Sequence, residues 1–116
     1  MSTGNLHVLK CWPHPFDAVW HGEKTHEIRK TDDRSFALGD RLLMREYDPH
    51  KPLPHASAGM GDTTRDESAR YSGRWILVRV AHITHGTEFG LPQDLCVMSI
   101  TIVDKGGHKP SVGTHA

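Results

Sequence analysis

Apolar and polar positions along this chain fall into short blocks, and their spacing predicts several strands and one helix. Residues 6–12 mix Leu, Val, Cys and Trp with polar side chains and read as a first strand, ended by Pro13, His14 and Pro15. Pro15 suits the first turn of a helix. Phe16, Val19 and Trp20 then stand at i, i+3 and i+4, and Gly22 is placed to close the helix in a left-handed conformation. Residues 25–30 read as a second strand, with Thr25, Glu27 and Arg29 on one face and His26, Ile28 and Lys30 on the other. If Ile28 faces the core, Glu27 and Arg29 face away from it. Turns at residues 31–35 and at Gly39 and Asp40 lead into Arg41–Tyr47, where Leu42, Leu43 and Met44 mark a third strand.

Residues 73–84 give the clearest strand, because Trp75, Ile76, Leu77, Val78, Val80 and Ile83 supply apolar side chains to both faces, as an internal strand requires. Residues 95–103 are its expected partner, across a turn containing Gly86, Gly90 and Pro92. Residues 48–72 break the pattern. They carry three prolines among Asp, Ser, Thr and Arg, with only Leu53, Met60 and Tyr71 as larger anchors, and read as a long polar loop that is either disordered or a functional lid. Residues 104–116 read as a flexible tail. Five or so strands with one early helix predict a small α+β domain on a mixed or barrel-like sheet.

A length of 116 residues fits one domain, here residues 1–103. Lys plus Arg and Asp plus Glu each total 14, so no global field draws the chain to a polyanion, and any such binding must come from a local patch. The absence of an 18-residue apolar stretch and of a basic-then-apolar leader points to a soluble cytoplasmic protein with no membrane partner. In that setting Cys11 and Cys96 are expected as reduced thiols in or near the core. The ten histidines are scattered, so charge should rise as the pH falls below about 6.5.

At the junction of helix and second strand, Gly22, Lys24, Glu27 and Arg29 spell G-x-K-x-x-E-x-R. This pattern resembles the signature of the ASCH domain family, part of the PUA-like superfamily. The likeness extends to Leu9, Lys10 and Trp12, to Phe16 and Val19, to Asp33, Arg34 and Phe36, to Gly39 and Asp40, and to Arg45, Glu46, Tyr47 and Asp48, as in small, mostly uncharacterised ASCH-like proteins of bacteria and phages. The resemblance implies a PUA-like small β-barrel of about five to six strands with one short N-terminal helix, and a cleft that binds RNA or a modified nucleoside. No cofactor is implied. A relative by fold removes acetyl from acetylated cytidine with a lysine like Lys24, a threonine and a later glutamate. This chain has Glu27 where that threonine stands, and Glu88 is the sole candidate for the glutamate beyond the loop at residues 48–72. Other ASCH proteins are ribonucleases.

The chemistry of the motif residues is compatible with recognition. Lys24 offers a compact ammonium, Arg29 a planar fork for phosphate or a base edge, and Glu27 an acceptor for an amino group. The alternative is a structural ion pair between Glu27 and Arg29. Lys30, Arg34, Arg41 and Arg45 would extend a positive rim, and Tyr47 or Trp12 would offer a stacking face, although Trp12 is expected in the core. If the chain is instead a hydrolase, an amidohydrolase or a ribonuclease, the catalytic candidates are Lys24, Thr25 and Glu27, with Lys24 as base and Thr25 or a water as nucleophile. A metal site is not expected, because His82 and His85 would lie on opposite faces of a strand with no carboxylate or thiol set to complete it. The loop at residues 48–72 is a further candidate contact for a protein partner.

Overall fold

In the computed structural model, which describes residues 4–53 and 66–107, Leu6–Cys11 forms β1, Pro13–Trp20 forms α1, His26–Lys30 forms β2, Arg41–Tyr47 forms β3, Tyr71–Thr84 forms β4 and Leu95–Gly106 forms β5. One sheet takes up all five strands in the order β1-β3-β4-β5-β2 and curls into a half-barrel. Only the β1–β3 pair is parallel. The two longest strands, β4 and β5, form its middle, and β1 and β2 are its edges.

Alternation within these strands builds one core. Leu9 and Cys11, Leu42 and Met44, Ile76, Val78 and Val80, and Cys96, Met98 and Ile100 point to the same side, where α1 adds Phe16 and Val19. Burying the Phe16 ring contributes about 2 kcal/mol. Arg74 ties the helix down further, because its guanidinium lies 5.0 Å from the centres of both the Phe16 and the Trp20 rings and donates to Asp17 Oδ1 at 2.6 Å.

Several boundaries differ from those read off the sequence. The helix begins at Pro13, two residues earlier than expected, since neither Pro13 nor Pro15 needs an N–H in the first turn. Trp12, expected in the core, is the residue that caps the helix in extended conformation and is 56% exposed, with its ring near His50. At β2 the faces are inverted. Ile28 is 51% exposed while Glu27 is 5% exposed, so the charged side chain and not the apolar one enters the core side. β4 starts at Tyr71, after a 3-10 turn over Glu67–Arg70 that ends the polar stretch, and β5 runs to Gly106 because the early half of β4 pairs with it. Residues 104–106, read as tail, are therefore strand. Residues 108–116 of the tail and residues 54–65 of the polar stretch lie outside the described residues. No helix among the described residues is long and apolar enough to cross a membrane.

Asp40 fixes where β1 meets β3. Its buried carboxylate accepts from the Asn5 N–H at 2.9 Å, the Ala37 N–H at 2.9 Å and the His7 ring at 2.8 Å. The Gly4 backbone passes so near that a Cβ there would stand 2.6 Å from the Gly39 carbonyl oxygen, at a φ of +72° that glycine alone adopts freely. Burial alone would push the Asp40 carboxyl up, but the Asn5 amide, the His7 ring and the Ala37 amide together hold it below its ordinary range. Because it titrates lower in the folded than in the unfolded chain, its contribution is complete above the unfolded value of about 3.9 and is lost as the pH falls through the folded value. Asp40→Asn should therefore cost about 1–3 kcal/mol at pH 7 in urea unfolding and flatten the loss of stability on the acid side. Equal acid slopes for the two proteins would refute this assignment.

Candidate functional site

Gly22 sets the position of the first functional side chain. At φ +78° it closes α1 with its N–H on the Val19 carbonyl, while the N–H groups of Glu23 and Lys24 both donate to the Ala18 carbonyl. The chain turns sharply, and Lys24 arrives beside the start of β2. Its ammonium donates to Glu27 Oε1 at 2.9 Å and to the His26 carbonyl at 2.7 Å. From two residues further along the same strand face, Arg29 Nε donates to Glu27 Oε2 at 2.6 Å. The structure thus brings Lys24, Glu27 and Arg29 together. Both oxygens of Glu27 are engaged by these two partly exposed cations, so the carboxylate is held in place instead of facing a ligand as an open acceptor.

Arg29 also crosses the open side of the half-barrel. Its Nη2 donates to the Lys10 carbonyl at 2.9 Å, joining edge strand β2 to edge strand β1. Immediately beside this bridge lies a cleft of about 400 Å³. Arg29, Lys30 and Arg34 give it cationic walls, Asp32 and Asp33 add carboxylates, and Leu9, Ile28, Phe36 and Leu95 supply apolar surface. Arg34 is only loosely paired, 3.8 Å from Asp33. Lys24 and Glu27 are not in the lining. They stand behind it and hold Arg29.

The other candidates from the sequence lie elsewhere. Arg45 points to the outer face, with its guanidinium 4.0 Å from the centre of the Tyr71 ring. Tyr47 is buried, with Lys10 4.5 Å above its ring and its hydroxyl donating to Glu67 at 3.2 Å and accepting from Arg70 at 3.1 Å, so the ring is covered. Thr25 is exposed just before β2, and its carbonyl accepts from the Ile100 N–H. Glu88 caps the β4–β5 turn, accepting from the His85 N–H at 2.7 Å. No described set of three His, Cys, Asp or Glu side chains is arranged to hold a metal ion.

A second charged cluster escaped the sequence reading. Glu46 is buried and accepts from Arg74 Nε and Nη2, each at 3.0 Å, and from the Ser72 hydroxyl at 2.5 Å. Those bonds, above all that to Glu46, raise the Arg74 guanidinium above its usual range. The signal was present in β3, where Leu42, Met44 and Glu46 alternate onto the core face. Cys11 is near both clusters. Burial, with the negative charge of Glu27 adding to it, pushes its thiol up to about 12. Burial also raises the Cys96 thiol.

A family model described as a domain of unknown function, DUF3850, matches residues 6–100, and the chain belongs to that family. No curated protein matches it.

Removing the charge of Glu27 leaves Lys24 and Arg29 without their shared counter-ion, so Glu27→Gln should lower stability by about 1–3 kcal/mol, measured by urea unfolding. A change within about 0.3 kcal/mol would mean that the cations do not depend on it. Neither cysteine is expected to react with a disulfide reagent at pH 8 until urea unfolds the chain, because both are buried as protonated thiols. Rapid labelling of the native protein would contradict that placement.

Proposed function

We propose that the chain is an ASCH-type, PUA-like domain that binds RNA or a modified nucleoside, with a single nucleotide seated in the cleft between β1 and β2. The observation that carries the reading is that the residues of the ASCH-like motif meet directly behind this cleft, where Glu27 holds Arg29 in its wall. Its volume of about 400 Å³ falls in the range of roughly 300–1,000 Å³ that small ligands occupy.

The roles follow from the chemistry of each group. Lys30 and Arg34 neutralise the phosphate, and the N–H groups of Arg29 that face neither Glu27 nor Lys10 serve a base edge or a phosphate oxygen. Asp32 and Asp33 accept from ribose hydroxyls or exocyclic amines. Ile28, whose outward position is otherwise unexplained, gives the base an apolar contact. Lys24 and Glu27 position Arg29 and have no direct part in recognition. Hydrolysis is the rival reading, as an amidohydrolase on an acylated nucleoside or a ribonuclease. It has less support, because Glu27 is clamped by two cations, Thr25 is exposed outside the cleft and Glu88 is engaged at another turn.

Calorimetric titration with cytidine and uridine 5′-monophosphates and with acetylated cytidine tests this. Arg34→Ala and Lys30→Ala should each weaken nucleotide binding about tenfold, or 1.4 kcal/mol, whereas Arg45→Ala should leave it unchanged. Undiminished binding in both Arg29→Ala and Arg34→Ala would show the site to be wrong. Release of acetate from acetylated cytidine, or cleavage of labelled RNA, would replace the binding reading with the hydrolase.

A further inference from the structure

The outer face of the sheet carries three rows of side chains in register across four strands. The first is Leu6, Arg41, Arg79 and Thr101; the second is Val8, Leu43, Leu77 and Asp104; the third is Lys10, Arg45, Trp75 and Gly106. The first and third rows are four residues apart along the strands, about 13 Å. Cations in these two rows therefore flank a largely apolar central row.

Two features of this face call for an anionic ligand with flat apolar groups. Arg41 and Arg79 stand directly opposite one another on neighbouring antiparallel strands, an arrangement that costs stability because like charges repel at that distance. Both are exposed, and among the described residues neither they nor Arg45 form an ion pair with a carboxylate. Of the described carboxylates, Glu67 beside this face holds Lys10, and Asp104 on it accepts from the Lys105 N–H. The second feature is Trp75. A Cβ on Gly106 would stand 2.7 Å from the indole, so the ring lies against the bare backbone of β5 and is half-buried on the sheet surface. Glycine at 106 is what lets a large aromatic ring lie down there.

We propose that this outer face, with the opposed Arg41 and Arg79, the Val8, Leu43 and Leu77 row and the recumbent Trp75, binds a single-stranded nucleic acid laid across it. Arginines in the flanking rows hold phosphates, and Trp75 with the apolar row receives bases, a division of labour that tolerates many sequences. The net charge of the chain is zero, so attraction of the strand depends on this local concentration of cations. This surface is separate from the cleft between β1 and β2 and does not require the cleft to be occupied.

Fluorescence anisotropy with labelled 12-nucleotide oligouridylate and oligothymidylate, at several salt concentrations, tests the proposal. Wild-type protein should bind at least one of them with a marked salt dependence. The Arg41→Gln/Arg79→Gln double variant should bind at least tenfold more weakly, with a log–log salt slope shallower by about 1.4, as expected for two lost phosphate contacts on a single strand. Its thermal midpoint should be equal or higher, since the opposed charges are gone. Trp75→Leu should weaken binding about tenfold without changing the slope. An unchanged slope in the double variant, no binding of either oligonucleotide by the wild type, or equal binding of a polyglutamate peptide would overturn the proposal. So would loss of 12-mer binding in Arg34→Ala with none in the double variant, which would assign the strand to the cleft alone.

Discussion

A carboxylate on the core side of an edge strand cannot stand by itself, and the candidate site is organised around that constraint. Glu27 points inward from β2, where burial without partners would be costly, and the chain supplies a cation from each side of it along the sequence. Lys24 reaches it from the turn that Gly22 makes possible, and Arg29 reaches it along the same strand face. Once Arg29 is fixed by Glu27, its remaining donors have defined directions. One spans to the Lys10 carbonyl and links the two edges of the half-barrel, and the cleft opens beside it.

The same logic recurs at Glu46, with a different outcome. Arg74 meets that carboxylate with two donors, adds Asp17 and lies against the Phe16 and Trp20 rings, while Lys105 donates to the Trp20 carbonyl at the end of the helix. This cluster fastens α1 to the sheet. Four polar residues are buried among the described residues, Glu27, Asp40, Glu46 and Ser72, and each is tolerated because its partners are built in beside it. Asp40 accepts from three donors, Glu46 from the Ser72 hydroxyl and twice from Arg74, and Glu27 from Lys24 and Arg29.

Much of the fold was legible in the sequence where local signals agree. The i, i+3, i+4 pattern of Phe16, Val19 and Trp20, followed by Gly22, located the helix and its left-handed closure, and the apolar runs located β3, β4 and β5. For β2 the strand and its two faces were legible, but which face is inner was not, for a physical reason. Alternation gives two faces but not which one is buried, and the assumption that Ile28 marks the inside is reversed when an ion-paired carboxylate takes that place. Trp12 misled in a similar way, since an apolar ring at a helix cap has no neighbour in sequence that determines its exposure. At the site, the motif identified Lys24, Glu27 and Arg29 as a unit, but assigning Arg45 and Tyr47 to the same rim required knowing which face of β3 they occupy. Both pack against the Tyr71 ring on the outer face, away from the cleft, and residue types alone do not say which face of the strand that is.

The pairing of β2 with β5 has a further consequence for how the domain comes into being. Glu27 lies opposite Met98 and His26 opposite Ser99, so the strand bearing the charged site has no neighbour until a strand far along the sequence pairs with it. Contacts so distant along the chain form late and slowly, because a long loop must close first. During synthesis the charged cluster therefore has no sheet to rest on until β5 emerges, and N-terminal fragments that retain the entire motif would still lack its geometry. Completion of the site and completion of the fold are, for this chain, one event.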